Sequence, residues 1–193
     1  FDTGPLSNRN LIINGAMNVA QRGTSFTGIS SGTGYTLDRW AYEFSGTTDG
    51  VITVAQDTNA PAGYGSALKV TTTTANSAPD ATARVQIRHR LEGYDVQQLN
   101  YGSADAKSFT LSFWVKATKT GTQTIGLDKV DGNNVAGQNY TVNSSEVWEH
   151  KSVVFSGDTA NAIADDNTHA FQVGFGLVAG SNYTTGTADG TWK

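Results

Sequence analysis

Apolar and polar residues alternate over nine positions at 109–117. Phe109, Leu111, Phe113, Val115 and Ala117 fall on one side, and Thr110, Ser112, Trp114 and Lys116 on the other. Period two over that length predicts a half-buried β-strand and fits no helical phase. The pattern recurs. Residues 35–45 set Trp40, Tyr42 and Phe44 opposite Arg39, Ala41 and Glu43, and residues 82–91 turn Ala83, Val85, Ile87 and Leu91 inward against Arg84, Gln86, Arg88 and Arg90. Residues 170–178 align Phe171, Val173, Phe175 and Leu177, with Gln172 outward between Ala170, Gly174 and Gly176. In 123–130, Ile125 and Leu127 point inward; further strands are expected at 11–14, 51–56, 66–74 and 147–156.

Between these runs lie turn signals. Asp131-Gly132 predicts a hairpin, 59–65 is a loop by its Pro and Gly, 23–34 is a Ser/Thr/Gly loop and 46–50 a turn. One helical turn is expected at 94–99. About nine strands without a sustained helical pattern make an all-β antiparallel sandwich the expected fold. Gly190-Thr-Trp-Lys193 looks like the opening of another strand, which leaves open whether the last strand is complete. Residues 1–10 read as a linker from an upstream element and 11–193 as one domain; a chain starting at Phe1 with Met17 as its sole methionine reads as a fragment or a processed piece.

Composition narrows the function. The chain has 22 Gly, 3 Pro, no Cys and a net charge of -4. Thiol chemistry and Cys-based metal sites are thereby excluded, and the charge argues against a nucleic-acid binder that works by neutralising phosphates. No run approaches the roughly 18 apolar residues of a membrane span, so membrane insertion is not expected.

The candidate chemistry is that of binding. An outward Trp114 can stack on the apolar face of a sugar ring, or lie under a loop or adjoining subunit. Arg84, Gln86 and Arg88 line up fork-like donors suited to carboxylates or sulfates of an acidic glycan, or else form a solvated face or intersubunit contact. Gln172, between small neighbours, leaves room for a ligand. Asp128 and Asp131, with the Asp/Asn cluster around them, offer oxygens of the kind calcium prefers, though such clusters also make turns. Asp38 is expected to pair with a nearby Arg or to cap a turn. His89, His150 and His169 belong to no metal motif, and no nucleophile elbow or phosphate loop is present.

Taken in order, Asn10-Leu-Ile-x-Asn-Gly15, Gly65-Ser-Ala-Leu-Lys-Val70, Phe109-x-Leu-Ser-Phe-Trp-Val-Lys-Ala117, Trp148 with Val153-Val-Phe155, and Phe171-x-Val-Gly-Phe175 resemble the galactose-binding-like jelly roll of carbohydrate-binding modules. More narrowly, residues 10–23, with Gln21-Arg-Gly23, followed by Gly34-Tyr-Thr-Leu-Asp-Arg-Trp40, resemble a module of bacteriophage tail fibres and related virion appendages. The resemblance spans residues 10–193. It implies a non-enzymatic module in an extracellular virion appendage. That module would be homotrimeric, in contact with other virion proteins, and would contribute to attachment on a host-surface glycan. A purely structural head-fibre or decoration domain and a sugar-binding module of a secreted depolymerase are the alternatives. Related jelly rolls often hold one structural calcium; no other cofactor is implied.

Overall fold

The computed structural model describes residues 10–46, 50–184 and 188–193. The linker expected over 1–10 and the turn over 46–50 fall largely outside them. The described residues form twelve strands: β1 (Ser25–Ile29), β2 (Thr33–Tyr35), β3 (Trp40–Ser45), β4 (Val51–Asp57), β5 (Ala67–Thr74), β6 (Arg84–Glu92), β7 (Phe109–Val115), β8 (Gly121–Lys129), β9 (Asn134–Val142), β10 (Glu149–Phe155), β11 (His169–Ala179) and β12 (Asp189–Trp192). Every pairing is antiparallel. One large sheet runs β12-β9-β8-β11-β6-β3-β2, and the opposing layer comes in two pieces, β1-β4-β5 and β10-β7.

Both pieces pack on one face of the large sheet, as the alternation requires. Phe109, Leu111, Val153 and Phe155 from β7 and β10 bury against Ile125, Leu127, Phe171 and Val173. Ile29, Ile52 and Val54 from β1 and β4 bury against Trp40, Phe44, Val85 and Ile87. Ile12 and Phe175 touch both clusters and join them. The molecule is an antiparallel β-sandwich, with the expected helical turn at Gly93–Val96 continuing into a 3-10 turn at Gln97–Leu99.

Several expectations need correction. Residues 11–14 are not a strand. Asn14 takes a left-handed backbone (φ 55°), and its side chain accepts from the Val19 N–H (3.0 Å) and donates to the carbonyls of Val19 (2.9 Å) and Asp38 (3.0 Å), closing a loop where a ladder partner would otherwise sit. The 23–34 loop contains β1 and most of β2, edge strands too short and polar to leave an alternation. The strand expected over 35–45 is split, with Tyr35 ending β2 and a turn closed by the Trp40 N–H on the Leu37 carbonyl (2.9 Å) preceding β3. And β9, with Gly137, Gln138 and Asn139 at its centre, carries too little apolar signal to be read as a strand at all.

Parity also places a charge in the core. Lys129 follows Ile125 and Leu127 inward and is 1% exposed. Its ammonium meets the carboxylate of Asp158, donates to the Asn161 carbonyl (2.6 Å) and lies over the rings of Tyr101 (5.9 Å) and Trp192 (5.7 Å). An uncompensated buried charge is prohibitive, so this ring of partners is what admits Lys129.

Candidate functional site

The outer face of the large sheet carries one transverse row read straight from the strand register. Tyr35 of β2 stands beside Ala41 of β3, then Arg88 of β6, Gly174 of β11, Gly126 of β8 and Gly137 of β9. Directly paired residues share a face and strands lie about 4.8 Å apart, so six strands make a lane about 24 Å long. Three consecutive glycines put no side chains of their own into it, and the lane is open at Gly126, while Gln86 from the neighbouring row covers Gly174. A Cβ on Gly126 would meet nothing within 4 Å, whereas one on Gly137 would touch Ala188 at 3.4 Å, which closes that end. Glu43, Gln86, Thr124 and Asn139 form one wall; Arg90, Gln172 and Asp128 form the other. The result is a polar trough with an aromatic residue at its mouth.

Within it the expected stripe is not the solvated face its parity suggests. Gln86 and Arg88 are each 5% exposed and Gln172 4%. The reason is Glu43, which the sequence reading placed outward but gave no role. One of its oxygens accepts from Arg88 Nη1 (2.8 Å), and the other from Arg84 Nη2 (3.1 Å) and the Gln86 amide. Drawn down by that carboxylate, Gln86 lies across Gly174, where a Cβ would come within 2.4 Å of its Oε1. The Gln172 amide donates to Asp128. Burial holds the Arg88 guanidinium below its ordinary pKa, a pull that Glu43 opposes.

Several polar atoms of this face nevertheless remain without a partner: Nε of Arg84, Arg88 and Arg90, Oε1 of Gln172 and Nε2 of His169. Each buried, unmatched donor or acceptor costs about 1–3 kcal/mol, and folded proteins hold few of them. Five such atoms lie just beneath one sheet face, so its polar side chains are incompletely matched where they are packed together.

The trough has a cleft at each side. Near Tyr35, a cleft of about 150 Å³ is lined by Arg39, Arg90, Glu92, Asn167 and His169. Beyond the Phe175–Ile125 pair, β8 and β11 stop pairing and open a second space of about 220 Å³ between residues 122–124 and 176–179. The distinctive motifs build the first cleft. Asp38 accepts from the Gln21 N–H (2.7 Å), pairs with Arg22 (3.5 Å) and donates its own N–H to the Val19 carbonyl (3.3 Å). That clasp fixes the next residue, Arg39, in a left-handed conformation (φ 70°). Asp38 is therefore paired, as expected.

The structure separates the other candidates. Trp114, 41% exposed, stands on the outward side of β7 with its ring 5.3 Å from His150, on the opposite face of the sandwich from the trough. Arg84, Gln86, Arg88 and Gln172 come together; Trp114 does not join them. Asp131 accepts from the Ala164 N–H (2.8 Å), and Asp128 holds Gln172. Among the described residues no three His, Asp or Glu side chains gather as a metal site. Arg39, Arg90, His169, Tyr35 and the floor glycines were not singled out as site residues. The glycines flanking Gln172 were the one signal of open space.

No family model and no curated protein sequence matches the chain. Among solved structures, it is similar to the enzymatically active domain of tailspike protein 4 of bacteriophage CBA120 (TM-score 0.42, 14% identity), over 74% of this chain and 18% of that one. It is also similar to the C-terminal family 22 carbohydrate-binding module of Clostridium thermocellum Xyn10B (TM-score 0.38, 13% identity), over 83% of this chain and 98% of that one. At these values the function is argued from this chain's own residues. No helix among the described residues is long and apolar enough to cross a membrane.

Proposed function

We propose that this chain is a non-enzymatic glycan-binding module of a bacteriophage virion appendage, a tail fibre, that contributes to recognition of a host-surface polysaccharide. The observation that carries the binding reading is the outer-face trough, where a glycine floor open at Gly126 meets buried polar atoms of Arg88 and Gln172 that lack partners. Sugars present hydroxyls to amides and guanidinium groups and apolar ring faces to aromatics, and the trough supplies both kinds of group. The phage setting rests on the resemblance of residues 10–40, and the homotrimer and contacts with other virion proteins belong to the same proposal. One observation favours the purely structural alternative. Glu43 already occupies three of the stripe's donors, as it would in a surface that only packs.

A glycan array of bacterial surface polysaccharides tests the choice. Gly126→Val puts a branched side chain into the lane at the floor position where an added Cβ meets nothing within 4 Å. A strand gains up to about 1 kcal/mol on losing a glycine, and an unchanged melting temperature shows that the variant folds. Binding by the native chain, its loss in Gly126→Val and its survival in Trp114→Ala are the expected results. Binding abolished by Trp114→Ala alone moves the site to the other face, and silence across the array favours the structural role.

A further inference from the structure

We propose that the cleft beside Tyr35 is an anion subsite that holds the carboxylate of an acidic sugar between the guanidinium groups of Arg39 and Arg90. The sugar part rests on the glycan-binding reading.

Five arginines are described, and three are already matched: Arg22 to Asp38, and Arg84 and Arg88 to Glu43. Arg39 and Arg90 pair with no carboxylate among the described residues, yet both are half-buried and both line the same cleft. In a chain of net charge -4, two unmatched guanidinium groups in one hollow are not a by-product of a basic surface. Arg90 keeps a buried Nε without an acceptor, and the buried Nε2 of His169 has no hydrogen-bond partner. The imidazole of His169 is held neutral, its pKa lowered to about 4 by burial and by Arg90 and Arg88, so it adds no charge of its own and the two guanidinium groups are the cations of the cleft. Glu92, the one acid in the lining, forms no ion pair with either arginine.

The backbone points the same way. A left-handed residue other than Gly or Asn carries a cost of about 1–2 kcal/mol, and such strain persists where surrounding structure enforces it. Here the Asp38 clasp enforces it and thereby sets the stem of Arg39 at the cleft. Guanidinium groups present paired N–H donors that match a carboxylate. Tyr35, 46% exposed beside them, carries the Arg22 guanidinium over its ring at 5.3 Å and presents its remaining exposed surface to the body of a sugar. Arg90 also stands beside Gln172 in the register, so a chain lying in the trough can deliver one acidic residue to the cleft.

The test is amide chemical-shift mapping of the full chain with glucuronate, glucose or acetate at millimolar concentration. Glucuronate is expected to shift Arg39, Arg90 and His169, acetate to shift them with weaker affinity, and glucose to leave them in place. Its affinity is expected to fall about tenfold or more in Arg39→Asn and in Arg90→Gln, the loss of a charged hydrogen bond. Asn tolerates the left-handed backbone, and unchanged melting temperatures show that both variants fold. Equal response to glucose, equal affinity for acetate, no response to glucuronate, or undiminished binding in both variants overturns the proposal. Its failure is distinct from that of the wider reading. Array binding confined to neutral glycans removes the subsite and keeps the module, whereas a silent array with a glucuronate response keeps the cleft and removes the module.

Discussion

His89 illustrates how a single side chain couples core packing to pH. It is fully buried, edge-on to Trp40 at 5.2 Å, with Nε2 against the Ile13 backbone and Nδ1 without a partner. In the imidazolium both ring nitrogens carry protons and the one on Nδ1 has no acceptor, and burial lowers the pKa from 6.5 to about 4. The unfolded chain therefore binds a proton that the folded one refuses between those values. The stability contributed by neutral His89 is complete above pH 6.5, declines as pH falls and is gone near 4, a loss on the order of 3 kcal/mol. His169 titrates over the same window. Urea midpoints are expected to drop across it, and His89→Gln should remove about half of the slope. A midpoint flat from pH 7 to 4 would contradict this placement.

At the scale of elements, the strands with strong alternation were legible and those without it were not. Residues 109–117, 82–91 and 170–178 became β7, β6 and β11 with their apolar sides in the core, except that the register shift between Gly176 and Val178 turns Leu177 out, 44% exposed, and packs Val178 in its place. β9 escaped because its outward positions, including Gly137 and Asn139, belong to the trough, and a site floor of glycine erases the pattern that marks a strand. The run 11–14 misled for the opposite reason: its apolar residues pack against both clusters from a loop that Asn14 closes. Continued parity did reach Lys129, but its partner Asp158 lies in a loop remote in sequence and could only be found in space. Removing one member of such a pair strands the other. Asp158→Ala is expected to cost about 3–5 kcal/mol, while Lys129→Met combined with Asp158→Asn should cost much less. Denaturant unfolding of both variants measures the difference, and similar losses in the two would deny the pairing its role.

For the molecule as a whole, the sandwich presents two unlike outer faces. The second layer exposes Trp114, Val154 and the threonines of β5, while the large sheet holds the trough, its wall of paired charges and the cleft at Arg39 and Arg90. The sequence carried the two-layer architecture and the polar side of β6, because both follow from period two. It could not carry the meeting of Glu43 with Arg84 and Arg88, the line of Gly174, Gly126 and Gly137, or the separation of Trp114 from them, because each depends on strand order and register. The assembly is also decided at this scale. The homotrimer proposed above would keep one outer face for neighbours and one for the host; light scattering of the full chain is expected to report three copies, and a monomer at all concentrations would contradict it.

Solving the chain in complex with a polysaccharide fragment to which it binds is the measurement that bears most directly on the trough. The sugar is expected along the row from Tyr35 to Gly126, touching Gln172 and Arg88. A fragment seated instead on Trp114 and His150, with the row empty, would contradict it.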